Sequence, residues 1–195
     1  MIKNRDLFLT DPASRTIPNN GVAKVIEPRT KEEWNVLRYE LESFVCEGEY
    51  RNGLDRILNT YLSHLNQTEQ PAVWVSGFYG SGKSHMVRVL EYLWRDVKFP
   101  DGATARGLVR LPKEIQDELA ELSNEGKRSG GLWSAAGTLG ASLGKSIRLG
   151  LLNIIFRSAG LPEQYAPAQF VLWLMQNNYY AAVKAGVEQA GKDFN

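Results

Sequence analysis

The residues best suited to chemistry are the eight at positions 77–84, Gly-Phe-Tyr-Gly-Ser-Gly-Lys-Ser. They fit the phosphate-loop pattern of Gly, four free positions, Gly, Lys, and Ser or Thr. In such a loop the glycines let the backbone turn tightly and bring its N–H groups against phosphate oxygens. Lys83 would supply a positive charge at the β and γ phosphates, and the Ser84 hydroxyl would be a ligand for Mg²⁺. The predicted nucleotide-binding positions are therefore Gly77, Gly80, Ser81, Gly82, Lys83 and Ser84.

The segments on either side of this loop predict a strand before it and a helix after it. Residues 72–76, Ala-Val-Trp-Val-Ser, form a short apolar, β-branched run that is typical of a strand. After the loop, apolar residues recur every three or four positions, as on one face of a helix. We therefore expect an α/β fold with a P-loop NTPase core, incomplete in this chain and preceded by a helical segment; the resemblance described below implies that this core is AAA+-like. The apolar positions of the predicted loop helix are Met86, Val87, Leu90, Leu93 and Trp94.

Composition narrows the classes of protein that this chain can belong to. Its 195 residues suffice for one well-cored domain with a small appendage, and its formal net charge of +1 indicates no strong attraction to nucleic acid or membranes. The sequence contains no run of eighteen apolar residues and no secretory signal at its start. A single cysteine, Cys46, excludes an intrachain disulfide, so a cytoplasmic location is expected. We interpret Cys46 as a packing residue.

The part of the chain before the loop is predicted to be an irregular arm followed by two amphipathic helices. Residues 22–26 could form a short strand. Thr30 and Glu33 have the spacing of a capping box, which predicts a helix over residues 31–45, and a second apolar stripe runs from Tyr50 to Leu65. We therefore divide the chain into an N-terminal arm and helical segment, 1–66, and the beginning of a P-loop ATPase domain, 67–195.

After the loop the sequence predicts helices separated by a glycine-rich region. One helix begins at Leu111-Pro112, and its acidic residues are interpreted as a solvated face rather than a catalytic cluster. Within residues 126–144 we predict a weak strand over residues 132–136. A second phosphate loop is not predicted there, because Leu139 occupies the position where the pattern requires the first glycine. Helices follow from Lys145, from Pro167, and over 179–190. Two arginines of this region, Arg148 and Arg157, are candidate arginine fingers, although ordinary surface arginines are the favoured alternative.

One element of a phosphate-loop ATPase is missing from the sequence. Residues 96–195 contain no run of four apolar residues followed by Asp or Glu, which is the pattern expected for the acid that holds Mg²⁺ through water. We therefore expect the chain to be the N-terminal piece of a longer protein, one that holds phosphate but hydrolyses ATP poorly by itself. The catalytic residues stay unassigned, and so do the nucleotide base, the oligomeric state and direct DNA binding.

The loop in its setting, residues 73–85, together with Val-Leu-Glu-Tyr-Leu at 89–93, resembles the large P-loop ATPase of bacterial BREX phage-exclusion systems, the BrxC or PglY family. Weaker matches occur at residues 21–25, 42–45, 61–62 and 160–162. The resemblance implies a cytoplasmic ATPase related to AAA+ proteins that uses ATP and Mg²⁺ and acts with other BREX proteins. It also implies possible homo-oligomers and DNA contact through the complex. Three alternatives remain: a nucleotide-regulated interaction module without turnover, a nucleotide-independent interaction piece, and a small-molecule kinase.

Overall fold

The computed structural model describes residues 3–7, 27–139 and 146–194. The chain divides into two compact units, Met1–Trp133 and Ser134–Asn195. The arm predicted over residues 1–21 lies largely outside the described residues, and the strand predicted over 22–26 lies wholly outside them.

The described residues form one short 3₁₀ turn, Asn4–Leu7, and α-helices of 4 to 17 residues. The helices of the first unit are α1 (Lys31–Glu42), α2 (Gly48–His64), α3 (Lys83–Arg95), α4 (Ala105–Leu108) and α5 (Lys113–Arg128). Those of the second unit are α6 (Ile147–Ser158), α7 (Tyr165–Gln176) and α8 (Tyr180–Gln189). The helices predicted from apolar periodicity are thereby confirmed, although their ends shift by a few residues. None of the described helices is both long enough and apolar enough to span a lipid bilayer.

The predicted α/β P-loop NTPase core is wrong for this structure. Across residues 3–7, 27–139 and 146–194 no strand forms, and the only β-type pairing is an isolated antiparallel bridge between Lys98 and Thr104. Residues 72–76 have strand composition, but no described residues form a neighbouring strand to complete their hydrogen bonds, and a strand is stable only as part of a sheet. Val73 and Trp74 are exposed, and only Val75 packs against the core.

Helix packing supplies the core of the first unit instead. Leu41 of α1, Leu58 of α2, Leu93 of α3 and Leu119 of α5 each have an exposed fraction of 1% or less. The predicted capping box is confirmed, because the Glu33 N–H donates to the Thr30 hydroxyl at 3.2 Å and the Glu33 side chain accepts from the Thr30 N–H. Burying such leucines contributes about 1.5–3 kcal/mol each, so packing of these apolar faces rather than helix propensity holds the unit together.

The acidic face of α5 is mostly solvated, as expected, but Glu118 is an exception. Its side chain is buried between α2 and α5, where it accepts a hydrogen bond from Asn59 at 2.5 Å and its other oxygen has no donor. Burial and the neighbouring Asp55 carboxylate raise the pKa of Glu118 to about 7. A proton shared between these two carboxyl groups would satisfy the second oxygen.

We expect Glu118→Gln to change the pH dependence of stability. The native state binds a proton at Glu118 that the unfolded chain releases, so wild-type stability falls as pH rises from about 4.5 to about 7. A glutamine keeps the acceptor for Asn59 and donates permanently to Asp55, so this dependence disappears. The free energies of unfolding of both proteins are measured in urea at pH 5 and at pH 8. The difference, variant minus wild type, should increase by about 2 kcal/mol from pH 5 to pH 8.

The exposed Asp117 on the same helix provides the matched control for this measurement. Asp117→Asn makes the same change of charge, but its effect on stability should be nearly the same at both pH values. Equal responses of the two variants to pH would show that Glu118 does not hold a proton in the native state.

Among its described residues, the second unit by itself contains three helices. Ser146 caps α6 by accepting from the Leu149 N–H, and Ile154, Ala168 and Leu174 are buried.

The weak strand predicted over residues 132–136 is wrong, because the described segment 131–139 contains no strand. Leu132 instead packs on α5, where it lies so close to Gly126 that any β-carbon there would collide with its side chain.

Candidate functional site

The phosphate-loop residues lie at the N-terminal end of α3. The helix begins at Lys83, and Gly82 precedes it as the N-cap residue with φ 78°, ψ 11°. Gly80 also has φ 78°. This left-handed region strains residues that carry a side chain by about 1–2 kcal/mol, so both glycines are required by backbone conformation.

Lys83 reaches back over the loop. Its ammonium donates to the carbonyl oxygens of Gly77 at 2.9 Å and Phe78 at 2.6 Å, and more weakly to the Ser81 hydroxyl at 3.4 Å. The Ser81 N–H in turn donates to the Phe78 oxygen at 3.2 Å. The ammonium is therefore fixed at the mouth of the loop, and its weakest contact is the one that an anionic oxygen would most readily replace.

Tyr50 of α2 holds the other side of the loop, a role that the sequence analysis missed. Its hydroxyl donates to the Ser81 carbonyl oxygen, and its ring packs edge-on against Phe44 at 5.7 Å between centroids. A β-carbon at Gly82 would lie too close to this hydroxyl, so a side chain there would require the Tyr50 ring to shift. From sequence, Tyr50 was one apolar member of a helical stripe, and nothing in that spacing indicates a partner 31 residues away.

The N-terminus of α3 has the features of an anion-binding end. It carries no side-chain cap and no acidic residue in its first turn. A Ser or Thr side chain caps α1, α4 and α6, whereas α2, α5, α7 and α8 lack a side-chain cap as α3 does. The two glycines and Lys83, rather than the missing cap, therefore distinguish this end of α3. The first-turn N–H groups of a helix have no partner within the helix, and its dipole places partial positive charge there. Lys83 adds a full positive charge, which is unfavourable at that end unless a negative group offsets it.

Two contacts from α1 position the first half of α3. The Arg88 Nε lies 2.7 Å from the Glu40 Oε2 in an ion pair whose side chains are 6% and 17% exposed. The N–H is not aligned on that oxygen, so charge rather than a hydrogen bond holds the pair. His85, the helix residue after Ser84, donates from Nε2 to the Glu40 carbonyl oxygen at 2.8 Å and packs against the Phe44 ring. His85 therefore serves local packing.

Arg106 of α4 holds the opposite end of α3. Its guanidinium donates to the carbonyl oxygens of Leu93 at 2.7 Å and Trp94 at 3.1 Å, and to Leu119 O and Ser123 Oγ of α5 at 2.8 and 2.7 Å. Since the last carbonyl groups of a helix have no partner within the helix, one side chain satisfies the end of α3 and joins it to α5.

The donor set at the loop fits a polyphosphate better than a bare metal ion. Ser84 is exposed in the first turn of α3, where its hydroxyl could join a metal already held by phosphate oxygens. Within residues 3–7, 27–139 and 146–194, no group of three or more His, Cys, Asp or Glu side chains could hold a metal ion. The loop residues present therefore fit a phosphate group directly, and Mg²⁺ only in company with that group.

A groove in the first unit is lined by residues other than those of the loop. It has a volume of about 830 Å³, is lined by residues 42–48, Arg51 and residues 108–112 except Val109, and includes none of the loop positions. Cys46 lies in its wall with an exposed fraction of 5%, and burial raises the pKa of its thiol. This favours the expected packing role over a nucleophile.

The candidate arginine fingers both belong to the second unit. Arg148 is exposed in the first turn of α6, and the Arg157 guanidinium lies 3.5 Å from the Glu163 carboxylate. Both side chains have the exposure of ordinary surface arginines.

No protein-family model matches the chain, and no solved structure is significantly similar to it.

Proposed function

We propose that this chain binds the phosphates of Mg²⁺-ATP at residues 77–84. The observation that carries the proposal is the combination at the start of α3: an uncapped helix N-terminus, two left-handed glycines and a lysine ammonium fixed over the loop. The helix dipole and the ammonium both favour a negatively charged ligand, and the two glycines bring the loop backbone to the same end of α3.

In this proposal each group of residues has a different role in binding. Backbone N–H groups of the loop and of the first turn of α3 contact phosphate oxygens. The Lys83 ammonium neutralises negative charge at the outer phosphates, and Ser84 contributes its hydroxyl to the Mg²⁺ that those oxygens hold. The backbone that surrounds the phosphates is that of Gly77, Gly80, Ser81 and Gly82. Tyr50 holds this loop in place through its hydrogen bond to the Ser81 carbonyl oxygen.

Lys83→Ala is expected to weaken binding of a non-hydrolysable ATP analogue with Mg²⁺ by about 10- to 100-fold, since a hydrogen bond to a charged group contributes about 1.5–3 kcal/mol. Calorimetric titration measures this. Stability should change little, because the Lys83 ammonium contacts only the loop. The matched control is Lys113→Ala, which removes the same charge from the first residue of α5. Equal affinities of wild type and Lys83→Ala would contradict the proposal.

The resemblance to the BREX ATPase family extends this proposal to a biological setting. The module would act as the energy or switch component of a multi-protein bacteriophage-defence complex in the cytoplasm, with other BREX proteins as partners. Turnover, measured on the longer protein that the sequence analysis expects, separates the two forms of this proposal. Phosphate release that is lost in Lys83→Ala supports an ATPase, whereas binding without phosphate release supports a nucleotide-regulated interaction module.

A further inference from the structure

The peptide plane between Ser81 and Gly82 is one whose direction the local sequence does not fix. Gly82 has φ 78° and no side chain, so its backbone adopts negative φ about as readily as positive φ. Across a trans peptide bond the C=O and the N–H point in opposite directions, and turning the plane over exchanges them. On a given side of the loop, one orientation therefore offers a donor, and the other offers a carbonyl oxygen that repels an anion.

The Tyr50 hydroxyl selects one of these two orientations. It donates to the Ser81 carbonyl oxygen, so this C=O faces Tyr50 on α2 and the Gly82 N–H faces away from it. The Tyr50 ring is itself held by its edge-on packing against Phe44, with 5.7 Å between ring centroids. The hydroxyl is therefore kept in place by contacts within the protein, without any contribution from a ligand.

The donors that follow Ser81 are unpaired in the part of the chain that the structure describes. There, the N–H groups of Gly82, Lys83 and Ser84 have no hydrogen-bond acceptor, whereas the Ser81 N–H donates to the Phe78 oxygen at 3.2 Å. The N–H groups at the start of a helix point out of its N-terminal end. The Gly82 N–H can add a donor to this set only while its peptide plane keeps the observed orientation.

We propose that Tyr50 is a positioning residue of the candidate phosphate site, whose hydroxyl holds the Ser81–Gly82 peptide plane so that the Gly82 N–H faces a bound phosphate. This inference rests on the proposed phosphate-binding function and deepens it, because it places a determinant of phosphate affinity on α2, outside the loop. Lys83 holds the Gly77 and Phe78 carbonyl oxygens, but its ammonium is also a ligand contact. Tyr50 acts only through the backbone.

The test removes the hydroxyl and keeps the ring. Tyr50→Phe preserves the packing on Phe44 but cannot donate to the Ser81 oxygen. Calorimetric titration with tripolyphosphate and Mg²⁺ should give an affinity about 2- to 10-fold weaker than that of wild type, the range that corresponds to one hydrogen bond. A non-hydrolysable ATP analogue should lose affinity by the same factor, because the change acts on the phosphates. The midpoint of urea unfolding should stay unchanged, because Ser81 is exposed and water replaces the lost donor.

A spectroscopic measurement separates positioning from general support of the loop. In the ¹H–¹⁵N spectrum of wild type, the Gly82 amide proton should move to higher frequency when tripolyphosphate binds, because a hydrogen bond to an anion deshields the proton. Tyr50→Phe saturated with the same ligand should show a smaller shift. Tyr61→Phe is the matched control, since it removes the same hydroxyl from α2 at a ring that packs against Trp94. This control should change neither the affinity nor the Gly82 shift.

The possible failures of this inference differ from failure of the phosphate site itself. If Tyr50→Phe binds tripolyphosphate as tightly as wild type does, the hydroxyl does not position the plane, although phosphate binding stands. A weaker affinity with an unchanged Gly82 shift and a lower urea midpoint would make Tyr50 a structural residue and overturn the inference. If wild type binds neither tripolyphosphate nor the ATP analogue, the proposed function fails, and the role of Tyr50 fails with it.

Discussion

Replacing Arg88 by methionine is expected to lower the free energy of unfolding of the first unit by about 3–5 kcal/mol. Methionine fills much of the same space, but it leaves the Glu40 carboxylate, 17% exposed, without its positive partner. Removing one member of a buried pair leaves an uncompensated charge, and this costs far more than the pair contributes in net terms. Urea unfolding followed by tryptophan fluorescence measures the loss.

Two controls separate this explanation from a general effect of losing an arginine. Arg51→Met breaks an exposed ion pair with Glu114, whose side chains are 49% and 60% exposed, and should change stability by less than about 1 kcal/mol. The double variant Arg88→Met, Glu40→Leu removes both charges and should recover most of the loss. A single variant as stable as Arg51→Met would show that the Arg88 pair is not buried in solution.

Arg106→Ala is expected to destabilise the first unit by about 3–5 kcal/mol, because four hydrogen bonds from a charged donor are lost, each contributing about 1.5–3 kcal/mol, and such contributions do not add fully. The alanine variant leaves the carbonyl oxygens of Leu93 and Trp94 at the end of α3, and that of Leu119 on α5, without this donor. Urea unfolding again provides the measurement, with Trp94 as a probe close to the change.

The geometry of the guanidinium can be tested within the same position. Arg106→Lys keeps the charge, but a single ammonium cannot reach all four acceptors, so its loss should be intermediate between wild type and alanine. Arg110→Ala removes an exposed arginine two residues after the end of α4 and should change stability by no more than about 0.5 kcal/mol. If Arg106→Lys equals wild type, charge alone accounts for the effect and the fork of hydrogen bonds does not.

Both arginines act on the helix that begins at the phosphate loop. Arg88 fixes the first half of α3 against α1, and Arg106 fixes its last turn against α5. A site made of backbone N–H groups requires a rigid helix, because the donors keep their positions only while the first turn of that helix keeps its position. Stability in this part of the molecule and the geometry of the candidate anion site therefore depend on the same contacts.

The sequence determined the local elements well. The helices follow from the recurrence of apolar residues every three or four positions, and the cap of α1 follows from Thr30 and Glu33, because these signals involve neighbours along the chain. The positions of the loop glycines and of Lys83 at the start of α3 were predictable for the same reason. The exposure of most of the acidic face of α5 also follows from helical spacing.

Features that depend on residues far apart in the chain could not be predicted from the sequence and are visible only in the folded structure. Residues 72–76 have strand composition, but a strand requires a paired neighbour, and within the described residues none is present. Glu118 is buried among apparently solvated acids because α2 packs on that part of α5, and Tyr50 meets the loop across 31 positions. Arg88 and Arg106 are ordinary arginines in the sequence. The buried ion pair of Arg88 and the four hydrogen bonds of Arg106 form only when separate helices pack together. Helical periodicity can be predicted from spacing along the chain, but these contacts cannot.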